Sequence, residues 1–417
     1  MQDSFNYGVE WVYPSTQEIN PPVMPARSSL SIDSKKVCTS FFQNTITLLD
    51  AEQGKILWQY EFPEITDIIH LGIHPNGDIY AMDLAGLRVC VIDQNGKFKH
   101  DIPFSFNANW IRTVPSFIFT NEGLTYYGTT DGIIYCVNEK GEIIWTRLIG
   151  ESEDSDIITP VTGLTLTKDE KLLVGVSSFN RIQNPVYGID SLTGEIMWKY
   201  QHPKYKAISY ITTDSADNIL LPADNPEELS RWFSADPNSG PPPFDKLSST
   251  YGGAIILLDL KGIEQKIVTV PNQISIYYVK PCEDSNKLYI LGETYLKSDK
   301  LIFSTDVLFV TDYNSNIFWD TASPPLSVRG NVAQKSSVFL DGENIFVESI
   351  EGIYQFNSTG EIIRTYDLES GGPALIIGGN PDKKTLYIQH RGGEYGKYKR
   401  VHRIYKIKYY GYDQEKE

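Results

Sequence analysis

The sequence predicts an all-β fold, an eight-bladed β-propeller of four-stranded blades closed by the N-terminal strand, and three observations predict it. One hairpin grammar recurs seven times, each hairpin follows two further strand-like runs, and the two ends of the chain complement each other. The grammar is an alternating apolar run, a polar turn with Asp or Asn and usually Gly, and a second run often ending in Trp. It reads LLDAEQGKILW (48–58), CVIDQNGKFKH (90–100), CVNEKGEIIW (136–145), YGIDSLTGEIMW (187–198), LLDLKGIEQKI (257–267), FVTDYNSNIFW (309–319) and YQFNSTGEIIR (354–364). The turn markers are Gly54, Gly96, Gly141, Gly194, Gly262, Asn316 and Gly360. Gly and Asn tolerate the positive φ that such turns demand. Four short strands per unit of roughly 45 residues is the pattern of a propeller blade. No helical run recurs between strands, which excludes barrel and doubly wound α/β architectures.

The ends set the blade count. After Gly360 come PALIIGG (373–379), TLYIQH (385–390) and VHRIYKIKYY (401–410), three strands without a fourth. The N-terminal run 7–13, Tyr-Gly-Val-Glu-Trp-Val-Tyr, has the form of a last strand. Unpaired outer strands are a liability that closed rings avoid, so 7–13 is expected to complete the C-terminal blade. Residues 1–417 are then one domain, with 222–253 an insertion in blade 5.

The 26 Tyr, 18 Phe and 7 Trp against 4 Met suit strands. Fifty-three acidic against 37 basic residues give a formal charge of −16, which argues against nucleic acid or an anionic membrane as partner. No run approaches the ~20 apolar residues of a spanning helix. Cys38, Cys90, Cys136 and Cys282 are dispersed and are expected buried and reduced. The start Met-Gln-Asp-Ser-Phe has neither a basic nor an apolar leader region.

With strand A innermost, D–A and B–C loops share one rim, and A–B and C–D turns share the other. The Gly turns are C–D corners. Every long insertion falls between B and C: 177–185 in blade 4, 222–253 in blade 5, 296–304 in blade 6 and 391–400 in blade 8. Loops on a rigid scaffold carry function, and one of ~30 residues exceeds a connector. That rim is the expected working surface. Its candidate ligand-binding residues are Trp110, Arg112, Asp156, Arg329 and Asn331 at the channel mouth, with Trp232, Phe233 and Phe244 in the blade-5 insertion. Arg suits bidentate capture of carboxylate or phosphate. Glu153, Asp154 and Asp156 offer the hard oxygens that Ca²⁺ prefers, although a solvated acidic loop is the simpler reading of such a run. Asn357-Ser358-Thr359 matches a glycosylation sequon inside a tight turn. No nucleophile, phosphate-loop or paired metal motif is present.

The Asp-x-x-x-Gly-x-x-x-Trp pattern, complete at Asp50/Gly54/Trp58 and Asp190/Gly194/Trp198 and shortened at Asn138/Gly141/Trp145, resembles the tryptophan-docking motif of quinoprotein-like (PQQ-like) eight-bladed propellers. The resemblance implies that Trp11, Trp58, Trp145, Trp198 and Trp319 are structural and plug the gaps between blades. It spans two functional classes. One oxidises alcohols or sugars with PQQ and Ca²⁺ and characteristically carries a disulfide between adjacent cysteines, a pair missing here. The other is a cofactor-less, BamB-like branch of scaffolds. The favoured expectation is a monomeric, non-catalytic scaffold without cofactor, binding a protein or other ligand on the elaborated rim. The alternatives are a PQQ/Ca²⁺ dehydrogenase and a carbohydrate-binding or glycan-processing propeller. The resemblance implies export or the cell envelope if a leader was removed, and a native Met1 implies the cytoplasm.

Overall fold

The computed structural model describes residues 8–14, 28–42, 44–64, 66–104, 117–149, 160–177, 185–207, 211–224, 253–270, 275–283, 285–297, 302–320, 338–348, 352–368, 374–392 and 401–410. Every regular element among them is a β-strand, and the strands form eight antiparallel sheets. Seven are continuous in sequence: blade 1 (28–61), blade 2 (68–103), blade 3 (118–148), blade 4 (161–200), blade 5 (206–269), blade 6 (275–320) and blade 7 (338–367). The eighth takes strands A to C from Ala374–Asn380, Thr385–Gly392 and Val401–Lys408, and its outer strand from Val9–Tyr13. Val9 lies opposite Ile407, and Tyr13 opposite Ile404. The ring is therefore closed by the N-terminal strand, as the orphan run 7–13 predicts. Blade 5 departs from the plan by splitting strand A into Lys206–Ala207 and Thr212–Thr213, both paired with Ile219–Asp224.

A strand buried on both faces should read as a continuous apolar run, and the middle strands do. Ile79–Asp83, Thr125–Gly128 and Ala254–Leu258 are buried at every position. The core is divided into eight apolar clusters, one between each pair of neighbouring blades. One of them joins Tyr387 and Ile404 of blade 8 to Val37, Leu49 and Ala51 of blade 1. The hydrophobic drive is thus spread round the ring, and no blade buries its faces alone.

The seven C–D corners share one plan in two lengths. The N–H of the positive-φ residue returns to the carbonyl three residues back in blades 2, 3, 5, 6 and 7, and four residues back in blades 1 and 4. In blade 2, the Asp93 N–H donates to Lys97 O at 2.7 Å and the Gly96 N–H to Asp93 O at 2.9 Å. The Asp93 carboxylate accepts from the Asn95 and Lys97 amides at 2.8 and 2.9 Å. The C–D register then slips by one residue, between Val91 and Ile92. Such a slip recurs in every continuous blade. A turn followed by a bulge places one residue in the left-handed region, which glycine occupies without strain. Blade 6 corrects the sequence reading: Ser315, not Asn316, holds that position at φ 66°. Its N–H donates to Asp312 O at 3.2 Å. Asn316 instead donates from its backbone and side-chain nitrogens to the Asp312 carboxylate at 2.9 and 2.8 Å.

Each expected docking tryptophan lies on the corner of the following blade. A Cβ added to Gly54 would lie 2.6 Å from Trp11, to Gly96 2.9 Å from Trp58, to Gly194 2.6 Å from Trp145, to Gly262 2.5 Å from Trp198 and to Gly360 2.5 Å from Trp319. Each indole N–H also donates to a carbonyl of the corner it covers: Ala51, Gln94, Ser191, Leu260 and Ser358 respectively. Three slots are filled differently. Lys266 of blade 5 reaches Asn314 of the blade-6 corner at 2.6 Å. Arg364 of blade 7 lies 5.6 Å over the Tyr410 ring at the end of blade 8. His100 of blade 2 packs directly on Gly141.

His100 is the weak slot. Its Nε2 is buried and has no partner among the described residues. Burial, assisted by Lys99, holds its pKa below the ordinary histidine value. An unfolded histidine titrates near 6.5, so between that pH and the lower folded value the unfolded chain binds the extra proton. Stability from this site is present above about pH 6.5 and is lost as the pH falls below it. His100→Trp is expected to add about 1–2 kcal/mol by burying a larger ring and to lessen the loss of stability between pH 7 and pH 5. Urea unfolding of both proteins at the two pH values measures this, and an identical pH dependence would exclude the assignment.

Candidate binding rim

Strand ends divide the ring into two unequal rims. On one rim lie the A–B turns and the glycine corners, all short. The other carries the ends of strands B and D and the starts of strands A and C. There the gaps between B and C run from Ser177 to Val186 in blade 4, Asp224 to Ala254 in blade 5 and Gly392 to Val401 in blade 8, while in blade 6 the strands themselves are extended, to Lys297 and from Ile302. The B and C strands of blades 2, 3 and 7 are joined by a few residues at Asp83–Arg88, Gly128–Ile133 and Glu348–Gly352. The insertions therefore spring from strand ends on one rim, the arrangement expected from the sequence.

Blade 6 differs from expectation. The stretch 296–304, read as a loop, is largely strand: Lys287–Lys297 and Ile302–Asp312 pair through eleven successive residues. Strand A follows this hairpin only as far as Ser275 opposite Glu293. The pairs from Thr294 with Thr305 to Lys297 with Ile302 project beyond it. Thr294, Tyr295, Leu296, Ile302, Phe303 and Thr305 supplied the strand signal, which the polar sequence Lys-Ser-Asp-Lys between them hid.

The candidate residues Trp110, Arg112, Glu153, Asp154, Asp156, Trp232, Phe233, Phe244, Arg329 and Asn331 all lie outside the described residues. What the structure does describe is the framework from which those segments leave. Asp83, at the end of strand B of blade 2, has a buried carboxylate. It accepts the Asp67 and Ala85 amides at 3.0 and 3.1 Å and faces Arg88 Nε at 3.3 Å. The same guanidinium meets Asp101 at 3.2 Å and Glu64 at 2.5 Å, fastening the D–A link of blade 2 to its own blade. Across the ring, the buried Glu348 carboxylate accepts the Ile376 amide at 2.6 Å and joins blade 7 to strand A of blade 8. Lys280 of blade 6 donates to Val338 O of blade 7 at 3.2 Å, and burial lowers its pKa. Sequence reasoning missed all three, because each depends on which strand ends the ring brings together.

The chemistry of these groups is that of fastening. Burial pushes the Cys38 and Cys136 thiols up to about 12, so neither is a thiolate near neutrality. Cys90 moves the same way for the same reason. Among the described residues no group of three His, Cys, Asp or Glu side chains is placed to hold a metal ion. The Asn357 side chain of the sequon is committed to its own turn. It donates to Glu361 at 2.9 Å and accepts from Thr359 and from the Glu361 amide. Lys406 on strand C of blade 8 is only 3% exposed and paired with Glu10 at 2.7 Å and Glu52 at 3.2 Å.

A family model described as outer membrane protein assembly factor BamB matches residues 43–221. Among solved structures, BamB from Moraxella catarrhalis aligns with 91% of this chain and 83% of its own, at 14% identity and a TM-score of 0.44. Sqt1 from Saccharomyces cerevisiae aligns with 92% of this chain and 95% of its own, at 12% identity and a TM-score of 0.59. The C-terminal WD40 domain of Sif2 covers the same shares, at 9% identity and a TM-score of 0.60. The last two likenesses show the propeller fold. No curated protein matches the sequence.

Proposed function

We propose that the protein is a non-catalytic scaffold that captures a protein partner on the rim bearing the four B–C insertions. The observation that supports this most is the asymmetry of the ring. Insertions leave blades 4, 5, 6 and 8 from one rim, while the opposite rim is trimmed to turns and glycine corners. A rigid ring with elaborated loops on one rim is suited to recognition. The BamB-type model over residues 43–221 supports the same class of work, since that model is named for an assembly factor. The buried thiols and the fastened carboxylates of the framework support a role without covalent chemistry. Within this reading the aromatic residues of the blade-5 insertion, Trp232, Phe233 and Phe244, anchor the partner, as buried aromatics do at interface centres.

The test replaces residues 226–250 by a short Gly-Ser linker and compares chemical cross-linking in the native host. The full chain is expected to yield a discrete cross-linked protein identifiable by mass spectrometry. The shortened chain is expected to lose that product while melting within a few degrees of the parent. An undiminished product from the shortened chain overturns the reading.

A further inference from the structure

We infer that the C–D corners of blades 3, 4 and 5 form a second docking surface, on the opposite rim, for a protein segment rich in lysine or arginine and apolar side chains. The inference does not depend on the insertion-bearing rim and survives if that reading fails.

The first observation is exposed aliphatic area. Leu192 is 59% exposed, Met197 61% and Ile263 56%, with Ile144 and Leu260 also exposed. The three corners are neighbours, because Trp145 seats on the blade-4 corner and Trp198 on the blade-5 corner. Exposed apolar side chains scattered singly need no explanation, but a contiguous group marks a contact surface.

The second observation is charge. The corners 138–144, 190–197 and 259–265 carry the acidic Glu139, Glu142, Asp190, Glu195, Asp259 and Glu264 against the basic Lys140 and Lys261. Arg147 brings a third cation to this arc, donating to Gly194 O of the blade-4 corner at 2.6 Å, which still leaves six acidic against three basic side chains. Lys266 turns to Asn314 of the blade-6 corner at 2.6 Å. Elsewhere round the rim several exposed apolar residues stand beside a cation. Lys287 covers Phe318 at 5.5 Å, Arg364 covers Tyr410, and Phe98 stands between Lys97 and Lys99 in sequence. Among the described residues the arc of blades 3 to 5 carries the three most exposed aliphatic side chains of the C–D corners, Leu192, Met197 and Ile263, beside an excess of negative charge. A second copy of this acidic chain would bring like charge to the contact, so the complementary occupant is basic.

The test uses fluorescence anisotropy with two labelled peptides, one alternating lysine and leucine, the other alternating glutamate and leucine. The lysine peptide is expected to bind, more weakly as salt rises, and at least tenfold more weakly to the Met197→Lys/Ile263→Lys variant. The Leu57→Lys/Phe318→Lys variant, altered on other corners of the same rim, is expected to bind as the parent does. All four positions are exposed, and thermal melting confirms that both variants fold. Should the lysine variant melt early, Met197→Ser/Ile263→Ser is expected to show a smaller loss of the same sign. Failure to bind the lysine peptide, equal binding of the glutamate peptide, or equal loss in both variants overturns the inference. So does a concentration-dependent dimer in sedimentation velocity that disappears in the 197/263 variant, which would make a second copy the occupant.

Discussion

Deleting residues 1–14 is expected to destabilise the protein by more than any single substitution described above, and to make it prone to aggregation. The deletion removes the outer strand Val9–Tyr13 and with it the pairing to Ile404–Ile407. It removes Trp11, whose ring lies on Gly54 and whose N–H donates to Ala51 O at 3.1 Å. Losing that ring alone corresponds to ~3–5 kcal/mol. It also strips Glu10 from Lys406, which stays buried with one of its two carboxylates gone. A buried charge that loses a partner is costly. The freed edge of Val401–Lys408 would then invite pairing with another chain. Denaturant unfolding and light scattering on the shortened protein check both effects. A melting temperature within a few degrees of the parent, with no aggregation, would show that closure contributes little.

Trp198→Ala is expected to lower stability by ~3–5 kcal/mol, the range for large aromatic truncations in a packed site. The ring closes the gap between blades 4 and 5: it packs on Gly262, donates to Leu260 O at 2.9 Å and joins the cluster of Val174, Ile219 and Ile256. Gly262→Val attacks the same contact from the other side. Its Cβ would fall 2.5 Å from the indole, at a φ of 73° that β-branched residues avoid. If ring and glycine act as one unit, the double variant will lose less than the sum of the single losses, since each change already breaks the one contact. Strict additivity in equilibrium unfolding would falsify the pairing of these two residues.

The ring was legible because its signals are local. A turn grammar is written seven times, six with Gly and four ending in Trp, and the alternation of the flanking runs names the strands. Closure was legible from an orphan run at one end and a missing strand at the other. Substituted slots were hard to read. Ser315 takes the glycine position against its own preference, and it is held by its turn and by the Thr269 amide that donates to its Oγ at 3.0 Å. His100, Lys266 and Arg364 occupy tryptophan slots with no residue type in common. The projecting hairpin of blade 6 escaped because the polar run Lys297-Ser298-Asp299-Lys300 reads as a loop in composition. On the candidate rim, composition pointed to a surface and the ring placed its base. The fastenings at Asp83–Arg88, Glu348–Ile376 and Lys280–Val338 arise only from tertiary proximity.

The outer strand of blade 8 and its hydrogen-bonding neighbour are separated in sequence by seven whole blades. During translation, Val9–Tyr13 emerges well before blades 1 to 7, and the segment it must meet, Val401–Lys408, emerges after them. Seven sheets can therefore assemble while the eighth has only its single early strand, so the final clasp waits for Val401–Lys408 to emerge. A truncated message or an early stop codon would leave an open arc with two sticky ends, a species that quality-control proteases can tell from the finished circle.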